Sequence, residues 1–207
     1  IFKNQPTTVE FRKSDLTTGV ELDGATLTVL DKDGNEIDKW TSVKGEPHII
    51  KRLHVGETYI LREEFAPYGY LKAEEVEFTI TDTAEIQKVE MKDDVPIGRI
   101  IINKKGEFLS EVSWNDMVAG AMDSIWGYVT GSLKDVTFEI YAREDIKAAD
   151  GESDDYYKKD ELVATIKTDE LGIARTDDLP LGKYYVVEKE TADGFVLDGE
   201  PRDIDLT

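Results

Sequence analysis

Five ionisable side chains fall where the alternation of a strand calls for apolar ones: Lys13, Glu63, Asp93, Lys104 and Glu188. Successive side chains of a strand point to opposite faces, so residues two apart share a face. Val9 and Phe11 mark the inward face of the first apolar run, and one further step of two reaches Lys13. The same step leads from Tyr59 and Leu61 to Glu63, from Val89 and Met91 to Asp93, from Ile100 and Ile102 to Lys104, and from Tyr184 and Val186 to Glu188. Glu10, Arg12, Arg62 and Lys92 fall on the opposite phase, as on an antiparallel strand with one wet face.

An isolated charge in a core is costly, so such groups pair, neutralise by shifting their pKa, or react. If Lys13, Glu63 and Asp93 converge, burial favours a neutral amine and neutral carboxyls. The Lys13 amine can then attack the carboxyl carbon of Asp93 while protonated Glu63 polarises the carbonyl and shuttles the proton; water leaves and an amide remains. Lys13 is the nucleophile and Glu63 the catalyst in this reading. A simple buried ion pair, or strand-end positions from which a Lys reaches solvent, are the plainer readings of the same pattern.

Strands must hold these groups. Residues 9–13, 25–37, 58–64, 76–82 and 87–94 alternate apolar and polar, with turn residues between them. The Asp-Gly-Asn at 33–35 accepts the positive φ of a tight hairpin. A second series follows at 99–105, 136–144, 162–170 and 183–190, in the same order as the first. This internal repeat predicts two tandem all-β domains. Glu63 follows Lys13 by 50 positions and Glu188 follows Lys104 by 84, so the second unit carries 34 more residues, mainly at 105–132 and 144–160. Pro96 and Gly98 interrupt the strand pattern near 95–98. The expected organisation is a remnant of a preceding strand or linker over 1–6, one domain over 7–95, and a second over 96–207 with an insertion at about 106–132.

Around Glu63 the run Tyr-Ile-Leu-Arg-Glu-Glu-Phe-Ala-Pro-Tyr-Gly-Tyr resembles the Glu-x-x-Ala-Pro-x-Gly-Tyr box of collagen-adhesin B-type, or prealbumin-like, domains of Gram-positive pilins and surface adhesins. The resemblance spans 7–94. It implies Ig-like β-sandwiches in which a first-strand Lys bonds to an Asn or Asp of the last strand, the box Glu catalysing. Carried over by position, Lys13, Glu63 and Asp93 take these roles, with Asp94 the alternative acceptor. In the second unit Glu188 and Gly194 keep the box, while Thr191, Ala192 and Phe195 stand where the family prefers Ala, Pro and Tyr. Lys104 takes the nucleophile position, with Lys105 a rival one step out of phase. Asp93 lies 30 positions after Glu63, and the same step from Glu188 passes Thr207, so the acceptor strand of the second unit is expected to be missing from this chain. The opening residues resemble the closing strand of a preceding domain, with Asn4 as its acceptor.

The resemblance further implies an extracellular stalk or pilin spacer on a bacterial cell wall. Its partners are then neighbouring domains of the same surface protein, and a host or matrix protein or glycan is a further candidate. The chemistry is a single-turnover maturation rather than enzymatic turnover, and it needs no cofactor.

Composition agrees. The chain has 207 residues, 40% of them hydrophobic, enough for two modest cores. A net charge of −20 disfavours nucleic acid and anionic membranes as partners. The absence of cysteine removes disulfides and thiolate chemistry. No apolar run reaches membrane-spanning length, and the start at Ile1, without signal peptide or initiator Met, reads as a piece of a longer protein.

Trp114, Met117, Ala121, Ile125 and Tyr128, spaced by three and four, predict an amphipathic helix over 113–129, either a cover for the sandwich or an adhesive element that makes the chain a ligand-binding adhesin. Asp150, Glu152, Asp154 and Asp155 read as a solvated acidic turn rather than a cation site. His48 and His54 read as surface residues. A hydrolase using Glu63 and Asp93 is disfavoured, because a core-facing pair leaves no room for substrate.

Overall fold

The computed structural model describes residues 4–113 and 124–206. Two compact units divide them: residues 1–96 with 148–154, and residues 97–147 with 155–207.

The first unit contains β1 (Thr8–Asp15), β2 (Thr26–Leu30), β3 (Glu36–Thr41), β4 (His48–Lys51), β5 (Thr58–Phe65), β6 (Val76–Thr79) and β7 (Ile86–Asp93). One sheet has the order β4-β1-β7 and the other β3-β2-β5-β6. The alternation in sequence sets which side chains enter the core. Val9, Phe11, Leu27, Val29, Tyr59, Leu61, Val89 and Met91 are buried together, drawn from both sheets. Phe11 sits at its centre, with ring centroids 5.4 Å from Trp40 and 5.3 Å from Phe78. The hairpin between β2 and β3 closes on Asp31, whose carboxylate accepts the amides of Asp33 and Asn35. β1 and β7 run parallel, with Lys13 opposite Met91 and Asp15 opposite Asp93.

The second unit contains β8 (Ile97–Gly98), β9 (Ile101–Asn103), β10 (Lys105–Ser113), β11 (Ser124–Ser132), β12 (Thr137–Ala142), β13 (Leu162–Lys167), β14 (Ile173–Arg175), β15 (Leu179–Pro180), β16 (Gly182–Glu190) and β17 (Arg202–Leu206). Its main sheet has the order β13-β12-β16-β17, while β9 pairs with β14 and β8 with β15. Ile100, Val136, Phe138, Ile140, Tyr184 and Val186 form its core.

The all-β expectation holds, and the helix does not. Trp114, Met117 and Ala121 lie outside the described residues, but Ser113 ends β10, and Ile125 and Tyr128 lie on β11. The two strands form an antiparallel hairpin from Lys105↔Ser132 to Ser113↔Ser124. The physical reason lies in residue types. Residues 124–132, Ser-Ile-Trp-Gly-Tyr-Val-Thr-Gly-Ser, combine two glycines, costly within a helix, with β-branched and aromatic residues that favour strands.

Candidate functional site

β1 brings Lys13 to the inner face of its sheet, β5 brings Glu63 from the opposite sheet, and β7 brings Asp93 alongside Lys13. All three side chains are fully buried, at 0% exposure. Lys13 Nζ contacts Asp93 Oδ1 and lies 3.1 Å from Glu63 Oε1. Glu63 Oε2 accepts the amide of Ala73 at 2.7 Å, which fixes the carboxyl plane. Asp93 Oδ2 is buried without a hydrogen bond. Burial pushes the Asp93 carboxyl up from 3.8 to about 6, the charge of Glu63 adding to the rise and Lys13 opposing it. Asp94, the alternative acceptor, is exposed and accepts the amide of Val95.

Three devices position the trio. Leu16 donates its amide to the Asp93 carbonyl at 2.8 Å, and Leu71 donates to the Asp94 carbonyl at 2.8 Å, so the end of β7 is held from both sides. A β-bulge shifts the register between β2 and β5, leaving Leu27 opposite Glu63 and Thr26 opposite Phe65. Bulges re-aim the side chains beside them, and here the extra residue is Glu64, next to Glu63. The turn after Glu63 needs φ +87° at Gly69, a conformation open to glycine at little cost, and it returns Tyr70 toward β1.

Asp15 joins the site without having been singled out in the sequence. It is 3% exposed and accepts the amides of Thr17 and Thr18 at 2.7 Å and the phenol of Tyr70 at 2.8 Å. Burial pushes its carboxyl up, but the hydrogen bonds from Thr18, Tyr70 and Thr17 together hold it below its usual value. Its signal was the alternation itself, since Asp15 is one more step of two beyond Lys13.

The second unit repeats part of this arrangement. Lys104 Nζ donates to Glu188 Oε2 at 2.6 Å, with Glu188 buried and the Lys104 side chain 23% exposed. The bulge recurs, with Phe138 opposite Glu188 and Thr137 opposite Glu190. The turn recurs as well, with φ +85° at Gly194 and the Phe195 amide on the Ala192 carbonyl, as Tyr70 bonds Pro67 in the first unit. Lys105 opens β10 and is exposed. Asn4 is exposed and outside any strand.

The remaining candidates sit apart. His48 is part-buried rather than on the surface: it lies on β4, stacks on Trp40 with centroids 4.1 Å apart, and meets Asp38 at 2.8 Å. β-pairing with β1 draws it inward, which its turn-rich surroundings in sequence conceal. His54 is exposed. Asp150 closes a turn through the amides of Glu152 and Ser153, and Asp155 pairs with Lys147 and Lys158. Among the described residues no group of three or more His, Cys, Asp or Glu could hold a metal ion, and no helix is long and apolar enough to cross a membrane.

A family described as the SpaA prealbumin-like fold domain matches this chain twice, over residues 7–95 and 128–207. Among solved structures, the Bacillus anthracis TIE protein aligns with a TM-score of 0.56 at 26% identity, covering 99% of this chain and 32% of its own. The chain thus spans about a third of that protein. BcpA, the major pilin subunit of Bacillus cereus, aligns with a TM-score of 0.42 at 12% identity, covering 98% and 96% of the two chains. The shaft pilin spaA from Lactobacillus rhamnosus GG aligns with a TM-score of 0.36 at 12% identity, covering 99% and 94%. No curated protein matches the sequence.

Proposed function

The chain belongs to the SpaA prealbumin-like fold domain family, and from that premise we propose that it is a structural spacer of a bacterial surface stalk or pilus whose first unit cross-links itself through an amide between Lys13 and Asp93. The observation that carries this reading is the convergence of Lys13, Glu63 and Asp93 in a fully buried cluster. Charges so buried are stable only when closely compensated, and condensation removes two of them for good.

The step balances simply. The neutral Nζ of Lys13 attacks Cγ of Asp93, forming a C–N bond. Glu63 holds the proton that assists departure of one carboxyl oxygen and takes one from the amine, so a single water leaves. Enclosure by both sheets keeps out the solvent that would compete with the amine.

The fold makes the bond mechanically useful. β1 and β7 are adjacent parallel strands at the start and end of the unit, so tension enters through one and leaves through the other. A link across the 80 positions from Lys13 to Asp93 loads a covalent bond instead of the hydrogen-bond ladder between them. The setting is extracellular, with neighbouring units of the same surface protein as partners, and the chemistry is spent in one turnover. Intact-mass spectrometry tests the reading: the mature chain should weigh one water less than its sequence, and the full sequence mass would refute it.

A further inference from the structure

The two units close one end of the sandwich differently. β12 lies between β13 and β16 as β2 lies between β3 and β5, so the connection over 143–161 answers to the one over 31–35. In the second unit this long connection folds back on itself, the Ile146 amide donating to the Tyr157 carbonyl at 2.9 Å. It carries Ile146, 4% exposed, into one buried cluster with Leu179 and Tyr184. Gly182 makes the room, since a Cβ there would stand 3.1 Å from the Ile146 side chain. An aliphatic residue directly after Glu144 and Asp145 thus plugs this end.

In the first unit the matching connection is the tight hairpin on Asp31, too short to fold back as a plug. A groove of about 520 Å³ opens there instead, with Ile37, Ile50, Leu53 and Tyr59 among its walls. Tyr59 stands four positions before Glu63, as Tyr184 stands four before Glu188, so the residue that packs the plug in one unit faces the groove in the other. The opening follows from the length of a connection inside the unit.

Charge at the groove is uneven. Three of its carboxylates are engaged: Asp31 accepts its own turn amides, Asp38 meets His48 at 2.8 Å, and Glu57 pairs with Lys32 at 3.5 Å. Asp33 is the fourth. Lys51 and Arg52 line the same groove, are exposed, and have no carboxylate in ion-pair reach among the described residues. Two free cations side by side stand out on a chain whose net charge is −20. Arg52 is also held at φ +70°, its amide donating to the Thr7 carbonyl at 3.0 Å. Among the described residues the other non-glycine positions of positive φ are Asp135 and Asp160, whose short side chains tolerate it where an arginine does not. Strain of this kind gathers at ligand clamps.

We infer that this groove docks an acidic segment of a partner polypeptide, one that presents an aliphatic side chain directly after two carboxylates. The aliphatic group takes the place that Ile146 fills in the second unit, against Leu53 and Tyr59, while the carboxylates meet Lys51 and Arg52. Apolar burial supplies the affinity, and the charges fix orientation and select the partner. The inference rests on the open end of the sandwich and stands whether or not Lys13 and Asp93 condense.

The experiment titrates the whole ¹⁵N-labelled chain with the capped peptide Gly-Glu-Asp-Ile-Gly. The amide signals of Leu53, Glu57 and Thr58 should move, while those of Gly182 and Lys183 stay in place. Peptides with Lys-Lys for Glu-Asp, or with Ser for Ile, should bind roughly tenfold or more weakly. Lys51→Glu combined with Arg52→Glu should reverse the charge preference, and the peptide series on the parent chain decides the matter should that variant not fold. No movement at about 5 mM peptide, or equal movement with the Lys-Lys peptide, overturns the inference. A glucuronate disaccharide that moves the same amides as strongly would overturn it in favour of anionic sugars. The same shifts on concentrating the chain alone would overturn it in favour of self-association.

Discussion

Tyr70 donates a hydrogen bond of 2.8 Å to Asp15, two positions along β1 from Lys13 and 55 positions back in sequence. The bond joins the turn that follows Glu63 to the strand that carries Lys13, so two of the three groups in the first site share a brace. Replacing Tyr70 with Phe keeps the ring and removes the donor from a buried carboxylate, a change that costs about 1.5–3 kcal/mol for a charged acceptor. Chemical denaturation should show that loss. The intact mass should stay one water short, because Lys13, Glu63 and Asp93 all remain.

Glu63→Ala should behave in the reverse manner. The catalyst is gone, so the chain should recover its full sequence mass while Lys13 and Asp93 remain as an ion pair. A cross-link spanning the 80 positions between them stabilises by about 4.5 kcal/mol in the chain-entropy treatment. For a unit of this size that corresponds to a fall in Tm of roughly 20–35 °C, readable by calorimetry. A full-mass Glu63→Ala chain that melts with the parent would mean that the bond carries no stability.

Asp93→Asn separates chemistry from packing. Lys13 would displace ammonia from the Asn instead of water from the Asp, and both routes end in the same amide. The mature variant should therefore match the mass of the mature parent. A one-water deficit in the parent beside an uncondensed Asp93→Asn variant would show that condensation depends on a carboxylic acid at this position.

The pH dependence follows from Asp93, whose carboxyl burial raises from 3.8 to about 6, with Glu63 adding to the rise and Lys13 opposing it. Before condensation Asp93 holds more of its proton in the folded chain than in the unfolded one between those values. The stability this group contributes is greatest at the acid end of that window and falls as pH rises through about 6. Attack needs a protonated Asp93 carboxyl, from which water can leave, so the condensation rate should fall as pH rises through about 6. Unreacted chain, recovered unfolded from inclusion bodies and refolded by dilution at set pH, gives the rate by time-resolved mass measurement. A rate that climbs steadily from pH 5 to 8 would contradict the assignment.

Much of this site was legible because period-two alternation survives in every strand that carries it. Lys13, Glu63 and Asp93 lie in phase with Phe11, Leu61 and Met91, and that phase is the core face in the folded unit. Asp15 was legible on the same ground, but its partner Tyr70 was not, since no local pattern links residues so distant. The bulges beside Glu63 and Glu188 leave no mark in residue type, because Glu64 and Lys189 look like any wet-face residue. Residues 113–129 misdirect for a different reason. Spacings of three and four also arise by chance in a short apolar window, and only length and residue preference separate helix from the strand observed at 124–129.

The last prediction concerns Lys104, which meets Glu188 without an Asp or Asn in ion-pair reach among the described residues. Its side chain is 23% exposed, whereas that of Lys13 is 0% exposed. The two units should therefore differ in chemistry although they share a Lys–Glu pair, a bulge and a glycine turn. In the isolated chain the total deficit should be one water and not two. Trypsin should cut after Lys104 in the unfolded chain, and an amine-acylating reagent should label it in the folded one. Lys13 should resist both, because its amine is already an amide. Finding Lys104 refractory and a second water missing would mean that a carboxyl of the second unit reaches it, with Asp198, which lines one cavity with Lys104 and Glu188, the first residue to replace.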